Sequence, residues 1–219
     1  KPLKLLVLGG TAFLGPHTVD YALARGHEVT LFNRGKTNPH LFPKLEKLRG
    51  DRNNDLKSIE EAVKNGRKWD AVVDTSGYFP RHMELSCGAL KDAVGQYLFI
   101  ETINVYKSDM VAGEDETGEL NTQLVDGGNE ASLENYGPYK ALSGAKAEQI
   151  MPGRVTTVRP SLICGPRDPS DRFTYWPVRL MEAKGDQARV LAPAPADQPV
   201  QFIDARDLAR FIITLIERG

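Results

Sequence analysis

A short apolar run, Leu3 to Leu8, leads directly into the glycine-rich segment Gly9 to Gly15, and a helix-forming stretch follows at once. Glycines at this position allow a tight turn in which backbone N–H groups and the N-terminus of the next helix face a pyrophosphate. A strand, a glycine-rich turn and a helix in this order are typical of a dinucleotide-binding βαβ unit. The chain is therefore restricted to an α/β fold built on a parallel sheet.

The rest of the chain repeats this alternation of short apolar runs and longer helical stretches. We predict strands over residues 3–8, 28–32, 45–48, 70–74, 97–100, 154–158 and 200–203, of which 45–48 is the weakest. We predict helices over residues 14–25, 56–65, 83–94, 139–151, 176–184 and 205–217. Because the strands are apolar on both faces, helices must cover both sides of the sheet, which gives a doubly wound Rossmann fold. We expect one NAD(P)-binding domain over residues 1–219, with substrate-contacting loops around 107–134 and 166–199.

Composition narrows the class of protein further. With 219 residues, 41% hydrophobic and 26% charged, the chain has enough apolar material for one core. A net charge of −1 provides no basic face for nucleic acid or an anionic membrane. No run approaches the roughly 20 apolar residues of a membrane span, and the sequence suggests no metal site. Cys87 and Cys164 lie in apolar stretches, which indicates buried free thiols and a reducing, cytoplasmic environment.

The glycine-rich turn departs slightly from the usual dinucleotide-binding spacing. That spacing would place glycines at 9, 12 and 15, but position 12 is Ala12 and an extra glycine, Gly10, stands beside Gly9. The alternative is an ordinary tight turn of an α/β protein. The residues expected to contact the cofactor here are Gly9, Gly10, Thr11, Phe13, Leu14 and Gly15.

The end of the second predicted strand reads Asn33-Arg34-Gly35-Lys36, with no acidic residue. An acid at this point accepts hydrogen bonds from a free ribose 2′-hydroxyl, whereas a guanidinium fits a 2′-phosphate. We therefore favour NADP mildly over NAD, through Asn33, Arg34 and Lys36; the alternative is a solvated group of charges after a strand. Asp51 and Arg52 follow the next strand, where they could contact the adenine edge or simply form a turn.

A tyrosine and a lysine four residues apart, Tyr136 and Lys140, follow the long loop. A phenol titrates near 10 and is a poor base at neutral pH, but a nearby cation favours its phenolate form. Such a pair can therefore move a proton at a substrate hydroxyl or carbonyl. Thr102, at the end of the preceding strand, supplies a third hydroxyl for the same oxygen; its alternative role is that of a buried, backbone-bonded strand threonine.

Taken together, the motifs resemble the extended short-chain dehydrogenase/reductase superfamily, and more narrowly its bacterial NAD-dependent epimerase/dehydratase-like proteins. The resemblance covers essentially the whole chain and rests on Gly9 to Gly15, Thr102 before Val105-Tyr106, Tyr136 with Lys140, Arg159-Pro160, Gly165-Pro166, Phe202 to Asp204 and Arg206 to Ala209. It implies that Tyr136 is the general acid/base, that Lys140 binds the nicotinamide ribose and lowers the tyrosine pKa, and that Thr102 binds the reacting oxygen. It also places the turn after Pro160 along the nicotinamide.

The resemblance leaves the substrate open. The tentative substrate contacts are Glu101, Asn104, Arg172 and Tyr175. Dehydratases of the superfamily carry Asp-Glu directly after the catalytic threonine, where this chain has Ile103 and Asn104, which disfavours dehydration unless Glu101 turns inward as a base. Relatives also continue beyond the last helix in a small C-terminal region that covers the substrate, and we expect this region to be largely missing here.

Two classes of function remain open on these motifs. The first is an NAD(P)-dependent oxidoreductase or epimerase acting on a hydroxyl or keto group of a sugar, sugar nucleotide or related polyol. The second is a non-catalytic dinucleotide-binding redox sensor, or an atypical superfamily member that contacts RNA. The proton-transfer residues favour the first class, and the neutral net charge disfavours RNA. We expect a small-molecule substrate, no nucleic acid or membrane partner, and we leave a homodimer open.

Overall fold

The computed structural model describes residues 1–107, 113–185, 189–192, 195 and 197–219. Its centre is a parallel six-stranded sheet with the strand order 3-2-1-4-5-6. The strands are β1 (Lys4–Leu8), β2 (Glu28–Asn33), β3 (Glu46–Arg49), β4 (Trp69–Asp74), β5 (Val94–Ile100) and β6 (Val155–Val158). Two further short strands, β7 (Leu162–Cys164) and β8 (Phe202–Asp204), form a separate parallel pair.

Six α-helices surround the sheet among the described residues. They are α1 (Leu14–Ala24), α2 (Lys57–Lys64), α3 (Pro80–Leu90), α4 (Tyr136–Ile150), α5 (Tyr175–Glu182) and α6 (Ala205–Arg218). Short 3-10 turns occupy Ile103–Val105, Asp126–Gly128 and Leu133–Asn135. No helix within the described parts of the chain is long and apolar enough to cross a bilayer.

The core has two layers because successive strand residues point to opposite faces of the sheet. Leu5 and Val7 of β1 pack on one face with residues of α1 and α6. Leu6 and Leu8 pack on the other face with residues of α2, α3 and α4. Helices therefore cover both faces, and the doubly wound Rossmann fold predicted from the sequence is confirmed.

Several predicted boundaries were wrong. Helix α3 begins at Pro80 and ends at Leu90, and the residues after it already lead into β5, which begins at Val94 instead of Tyr97. A proline at the first helical position suits its fixed φ, so the helix starts earlier than the apolar period indicated. Likewise α4 begins at Tyr136 itself rather than at Tyr139.

The second sheet was not predicted as such. Strand β7 was missed, and the predicted strand at 200–203 does not extend the main sheet but pairs with β7 from Phe202 onward. The predicted loop 107–134 lies partly outside the described residues; its base is closed by an antiparallel bridge between Tyr106 and Leu120. The predicted loop 166–199, also described only in part, includes α5. Cys87 and Cys164 are both buried and free.

Candidate active site

The carboxyl ends of the parallel strands meet at one edge of the sheet, where open α/β folds bind ligands. A cavity of about 380 Å³ opens there, between the ends of β1, β2 and β4. Its lining includes three groups predicted from the sequence, namely the glycine-rich turn, the Asn33-to-Lys36 segment and the Asp51-Arg52 pair. The fold thus brings the residues predicted for the cofactor end into one cleft.

The glycine-rich turn approaches helix α1 backbone to backbone. Gly9 and Gly10 have backbone φ angles of +110° and +84°, a region that residues other than glycine rarely adopt. A Cβ at Gly15 would lie 2.6 Å from the Cα of Gly10, so no larger residue fits there. Ala12, the departure from the usual spacing, is exposed and lines the cavity without distorting this contact.

The N-terminus of α1 fits an anion. Its first turn holds no acidic residue, and no side chain among the described residues caps it. Free N–H groups and the positive end of the helix dipole therefore face the cavity side of the turn. Phe13 and Leu14 form the helix start, and Thr11 is buried, its carbonyl accepting a hydrogen bond of 2.9 Å from Asn38 Nδ2.

At the end of β2, Asn33 is engaged in hydrogen bonds and the cations Arg34, Lys36 and Arg49 surround it; we call these three cations the rim. Asn33 donates from Nδ2 to the Gly9 carbonyl at 3.1 Å, and its Oδ1 accepts from Gly35 N at 2.9 Å and Arg49 Nη1 at 2.6 Å. Asn33 therefore holds the turn and positions Arg49, which sequence reasoning missed because it lies on the neighbouring strand. Arg34 is exposed, with its guanidinium 3.9 Å from the Asp51 carboxylate.

The rim cations Arg34, Lys36 and Arg49 are all exposed. Asp51 is the acid nearest to Arg34, and hydrogen bonds from Asn53 lower its pKa most, with Arg34 and Lys36 adding a smaller effect. Three cations and one engaged carboxylate give the rim a positive balance. This balance suits a phosphate group more than a free hydroxyl pair.

Arg52 forms the floor of the cavity. Its guanidinium donates to both carboxylate oxygens of the fully buried Asp74, at 2.5 and 2.9 Å, and to Ser76 Oγ at 2.9 Å. Burial alone would raise the pKa of Asp74, but Arg52 and hydrogen bonds from Tyr97 and Ser76 outweigh it and lower the pKa. The Arg52 Nε is buried and has no hydrogen-bond partner among the described residues.

His82 connects two of the turns that line the cavity. Its Nδ1 accepts from Tyr78 N at 3.2 Å, so its other nitrogen carries the proton and donates to Asn53 Oδ1 at 2.9 Å. Burial lowers the pKa of His82 most, the nearby Arg52 and Arg81 lower it further, and the pKa falls to about 4. A neutral imidazole therefore joins the turn after β3 to the turn after β4.

Tyr136 and Thr102 lie side by side at the end of β5. Burial raises the pKa of Tyr136, the neighbouring Tyr78 raises it too, and Thr102 and Arg172 oppose the shift. Lys140, which was expected to lower this pKa, directs its ammonium to two backbone carbonyls in the structure. Thr102 is buried and caps the following 3-10 turn, its Oγ1 accepting from Asn104 N at 3.3 Å.

Lys140 is almost completely buried beneath Tyr78. Its Nζ donates to the carbonyls of Gly77 and Ile100, both at 2.6 Å, and lies 4.4 Å from the ring centroid of Phe99 and 5.0 Å from that of Tyr78. Burial lowers the pKa of Lys140 to about 8, against the opposing effect of Asp74 and Glu101. An ammonium has three donors, so one N–H remains for a ligand.

Gly137 and Tyr78 are site residues that sequence reasoning missed. A Cβ at Gly137 would overlap the carbonyl oxygen of Asn104, so the first turn of α4 can approach the Thr102 turn only with glycine there. The Tyr78 ring lies 6.2 Å from that of Tyr136, between centroids. A glycine directly after a candidate catalytic tyrosine was the available signal for the close approach.

The tentative substrate residues do not all face the cleft. Glu101 is 3% exposed and pairs with Arg159 at 2.6 Å, so it is not placed at an open surface. Asn104, Arg172 and Tyr175 are exposed. Arg172 is near enough to Tyr136 to influence its pKa.

Pro160 is buried after β6, and its carbonyl accepts a hydrogen bond of 3.2 Å from Ile103 N. It therefore ties the turn after β6 to the Thr102 turn. Among the residues that the structure describes, no group of His, Cys, Asp and Glu could hold a metal ion.

This arrangement fits a dinucleotide. The glycine cradle and the α1 N-terminus suit a pyrophosphate, and the remaining Lys140 N–H suits a ribose hydroxyl. A family model covers residues 5–219 of the sequence, which is nearly the whole chain. The chain belongs to the NAD dependent epimerase/dehydratase family.

Two solved structures have a similar fold. WbmH of Bordetella bronchiseptica in complex with NAD+ has 20% sequence identity, a TM-score of 0.72, and an alignment covering 99% of this chain and 73% of that one. The UDP-glucose 4-epimerase of Thermus thermophilus in complex with NAD has 20% identity, a TM-score of 0.67, and coverage of 98% and 74%. At such identities the likeness shows the fold.

A plant protein is similar over part of the chain. The chloroplast stem-loop binding protein of 41 kDa b from Arabidopsis thaliana is 30% identical over 125 residues. The match covers 49% of this chain and 32% of that protein, so this chain spans well under two thirds of the relative.

Proposed function

We propose that residues 1–219 form the cofactor-binding and proton-transferring part of an NAD(P)-dependent oxidoreductase or epimerase. The substrate class is a sugar, sugar nucleotide or related polyol, which reacts at a hydroxyl or keto group. The observation that carries this proposal is the arrangement of Thr102 at the end of β5 with Tyr136 and Lys140 at the start of α4, where Lys140 contacts the carbonyl of Gly77 after β4. The loops around 107–134 and 166–199 supply the substrate contacts in this proposal.

The residues divide the work of proton transfer. A bound nicotinamide would supply an acceptor and donor of hydride beside the substrate carbon. Burial favours the protonated Tyr136 phenol, which donates its proton to a keto oxygen and becomes a phenolate; in the reverse direction this phenolate takes the proton of a hydroxyl. Thr102 orients the same oxygen, and Lys140 holds the ribose with its remaining N–H.

The reaction proceeds without loss of water. Eliminating water needs an acid for the leaving hydroxyl and a base for the adjacent C–H. Ile103 has no titratable proton, the Asn104 amide is no practical base, and Glu101 is buried against Arg159. These residues therefore support reversible hydride transfer at a carbinol carbon. The product is either released by a reductase or reduced again from the other face, which inverts the configuration as in an epimerase.

NADP is the proposed cofactor. Arg34 and Lys36 were expected to neutralise a 2′-phosphate, and Arg49, held by Asn33, adds a third cation to the rim. The two similar structures described above carry NAD, so a preference for NADP would be a property of this rim. Sugar nucleotides enter the proposal because one of those structures is named as a UDP-glucose epimerase.

RNA binding is the second candidate function, favoured by the 30% identity to a stem-loop binding protein. The exposed cations Arg34, Lys36 and Arg49 could contact phosphates, although the net charge of −1 provides no separate basic face. Because Arg34 and Lys36 line the cofactor cleft and Arg49 binds Asn33 beside them, NADPH should displace an RNA hairpin bound there. Hairpin binding that ignores NADPH would assign RNA to another surface.

The main test follows UDP-glucose with NADP+ or NAD+, using absorbance of reduced nicotinamide and the product's configuration and mass. We expect Tyr136→Phe to keep cofactor binding and to lower turnover by roughly 10² to 10⁴, as for loss of a general acid/base. Lys140→Ala should weaken both properties. Tyr21→Phe, in α1 away from the Thr102 turn, is the matched control.

Normal turnover by Tyr136→Phe would contradict the proposed role of Tyr136. A product lighter by one water would contradict the reaction type. Wild-type protein that binds NADP+ yet turns over none of a panel of UDP-sugars and polyols would favour the non-catalytic class.

A further inference from the structure

Glu101 directly precedes Thr102 in the chain, and its side chain is buried between Arg159 and helix α4. Its Oε2 accepts a hydrogen bond of 2.6 Å from Arg159 Nε, and its Oε1 packs against Gly144 of α4, where even a Cβ would collide with it. The residue is 3% exposed. Arg159 therefore engages one carboxylate oxygen and the other lies against α4, so a base in this position would be shielded from a substrate.

Arg159 links Glu101 to two residues of the loop that follows β5. Its Nη1 donates to the Tyr106 hydroxyl at 2.8 Å and to the Glu116 carbonyl at 3.4 Å, and its guanidinium carbon lies 5.0 Å from the Tyr106 ring centroid. Arg159 is largely buried, with 18% of its side chain exposed. Two loop segments thus depend on one guanidinium whose charge Glu101 balances.

Tyr106 lies in the short ladder that closes the loop. Lys107 N donates to the Glu119 carbonyl at 2.8 Å, and Asn121 N donates to the Val105 carbonyl at 2.7 Å. We call these paired segments, residues 105–107 and 119–121, the loop base. The ion pair of Glu101 and Arg159, with the hydrogen bond from Arg159 to Tyr106, connects the loop base to the ends of β5 and β6.

We propose that Glu101 is a positioning residue that acts through Arg159 and Tyr106 to hold the loop base against the end of β5. Thr102 follows Glu101 directly, and the carbonyl of Ile100, just before it, accepts from Lys140 Nζ at 2.6 Å. Fixing Glu101 therefore fixes the backbone that presents both Thr102 and the Lys140 acceptor. The proposal rests on the proposed function only for the roles of Thr102 and Lys140.

Energetics favour a local effect on the loop. Removing one partner of a buried ion pair leaves the other charge without compensation, which is far more costly than losing an exposed pair. Arg159 without Glu101 would turn toward water and release Tyr106 and the Glu116 carbonyl. Glutamine at 101 keeps an acceptor for Arg159 Nε but not the charge, so it should retain part of the restraint.

Backbone amide exchange of the protein alone tests this proposal. Glu101→Ala and Arg159→Ala should each speed exchange at Lys107 and Asn121 about tenfold or more, with α1 amides unchanged. The double variant should be no faster than either single variant, and Glu101→Gln should lie between wild type and Glu101→Ala. Glu46→Ala, which breaks an exposed pair with Arg67, is the control and should leave the loop base unchanged.

A second measurement reports the charge rather than the packing. Glu101 and Asp74 raise the pKa of Lys140 while Arg52 lowers it, so Glu101→Gln should move the alkaline limit of NADPH binding to lower pH. Exchange at the loop base that stays at wild-type rates in both Glu101→Ala and Arg159→Ala would overturn the proposal. So would a Glu101→Gln variant with wild-type exchange and no turnover, which would indicate a base.

The two proposals fail in different ways. Exchange is measured without cofactor or substrate, so its outcome stands even if the wild-type protein turns over no sugar nucleotide. Absence of turnover with a released loop base in Glu101→Ala would remove the proposed function and keep the positioning role.

Discussion

At the scale of single residues, the site contains ionisable groups whose charge is set by burial. His82 is neutral because an imidazolium would be desolvated beside Arg52 and Arg81, and its pKa is lowered to about 4. Burial lowers the pKa of Lys140 to about 8, which is just above neutral pH. Small changes around these two groups should therefore have measurable effects on pH dependence.

The first of these effects concerns folding. The unfolded histidine titrates near 6.5, so His82 contributes stability that is complete above pH 6.5 and is lost as the pH falls toward 4. Over this window His82 should contribute a slope of at most about 1.4 kcal/mol per pH unit to the free energy of unfolding. Urea unfolding of His82→Gln should show a shallower decline than wild type.

His40→Gln, at an exposed histidine outside this network, is the control and should leave the decline unchanged. Parallel pH dependence in wild type and His82→Gln would show that the pKa of His82 is the same in the folded and the unfolded protein.

At the scale of elements, helix α4 reaches the Thr102 turn because Gly137 has no side chain. Gly137→Ala would force the carbonyl of Asn104 away, and overpacking of this kind costs about 1–3 kcal/mol. We expect lower stability in chemical denaturation and a marked loss of turnover. NADPH binding at the glycine cradle should be affected less, because the cradle belongs to β1 and α1.

Gly88→Ala provides a matched comparison. Gly88 lies within α3, and a Cβ there meets nothing within 4 Å. Alanine favours a helix by about 1 kcal/mol over glycine, so this variant should be slightly more stable and equally active. If both alanine variants behaved alike, the close approach of α4 would not matter to the site.

At the scale of the whole molecule, ligand binding and folding are linked. A ligand at 100 times its dissociation constant adds about 2.7 kcal/mol to the free energy of unfolding. We expect NADPH to raise the melting temperature more than NADH at equal concentration, and Arg34→Ala and Arg49→Ala to reduce the difference. Arg210→Ala, on the exposed side of α6, should leave it intact. Equal shifts for wild type would remove the preference for NADP.

Sequence reasoning captured what depends on local pattern. Most strands of the main sheet are apolar runs bounded by turn residues, and the glycine-rich turn is contiguous in the chain, so both were predictable; β3, with the sequence EKLR, gave the weakest signal. Strand β7 has three residues and pairs with β8, far along the chain, and such short, distant pairing leaves no periodic signal. Arg49 and His82 were missed for the same reason, because their partners Asn33, Asn53 and Tyr78 come from other elements.

The rim cations Arg34, Lys36 and Arg49 lie apart from the buried residues of the candidate site, which bears on how cofactor preference can change. Arg34, Lys36 and Arg49 are exposed and lie outside both layers of the core, whereas Thr102 and Lys140 are buried and Tyr136 is partly buried. Exchanging a rim cation for an acid would therefore cost little folding energy and would leave the chemistry in place. On the proposed function, the choice between NAD and NADP would therefore be separable from proton transfer, because different residues determine each of them.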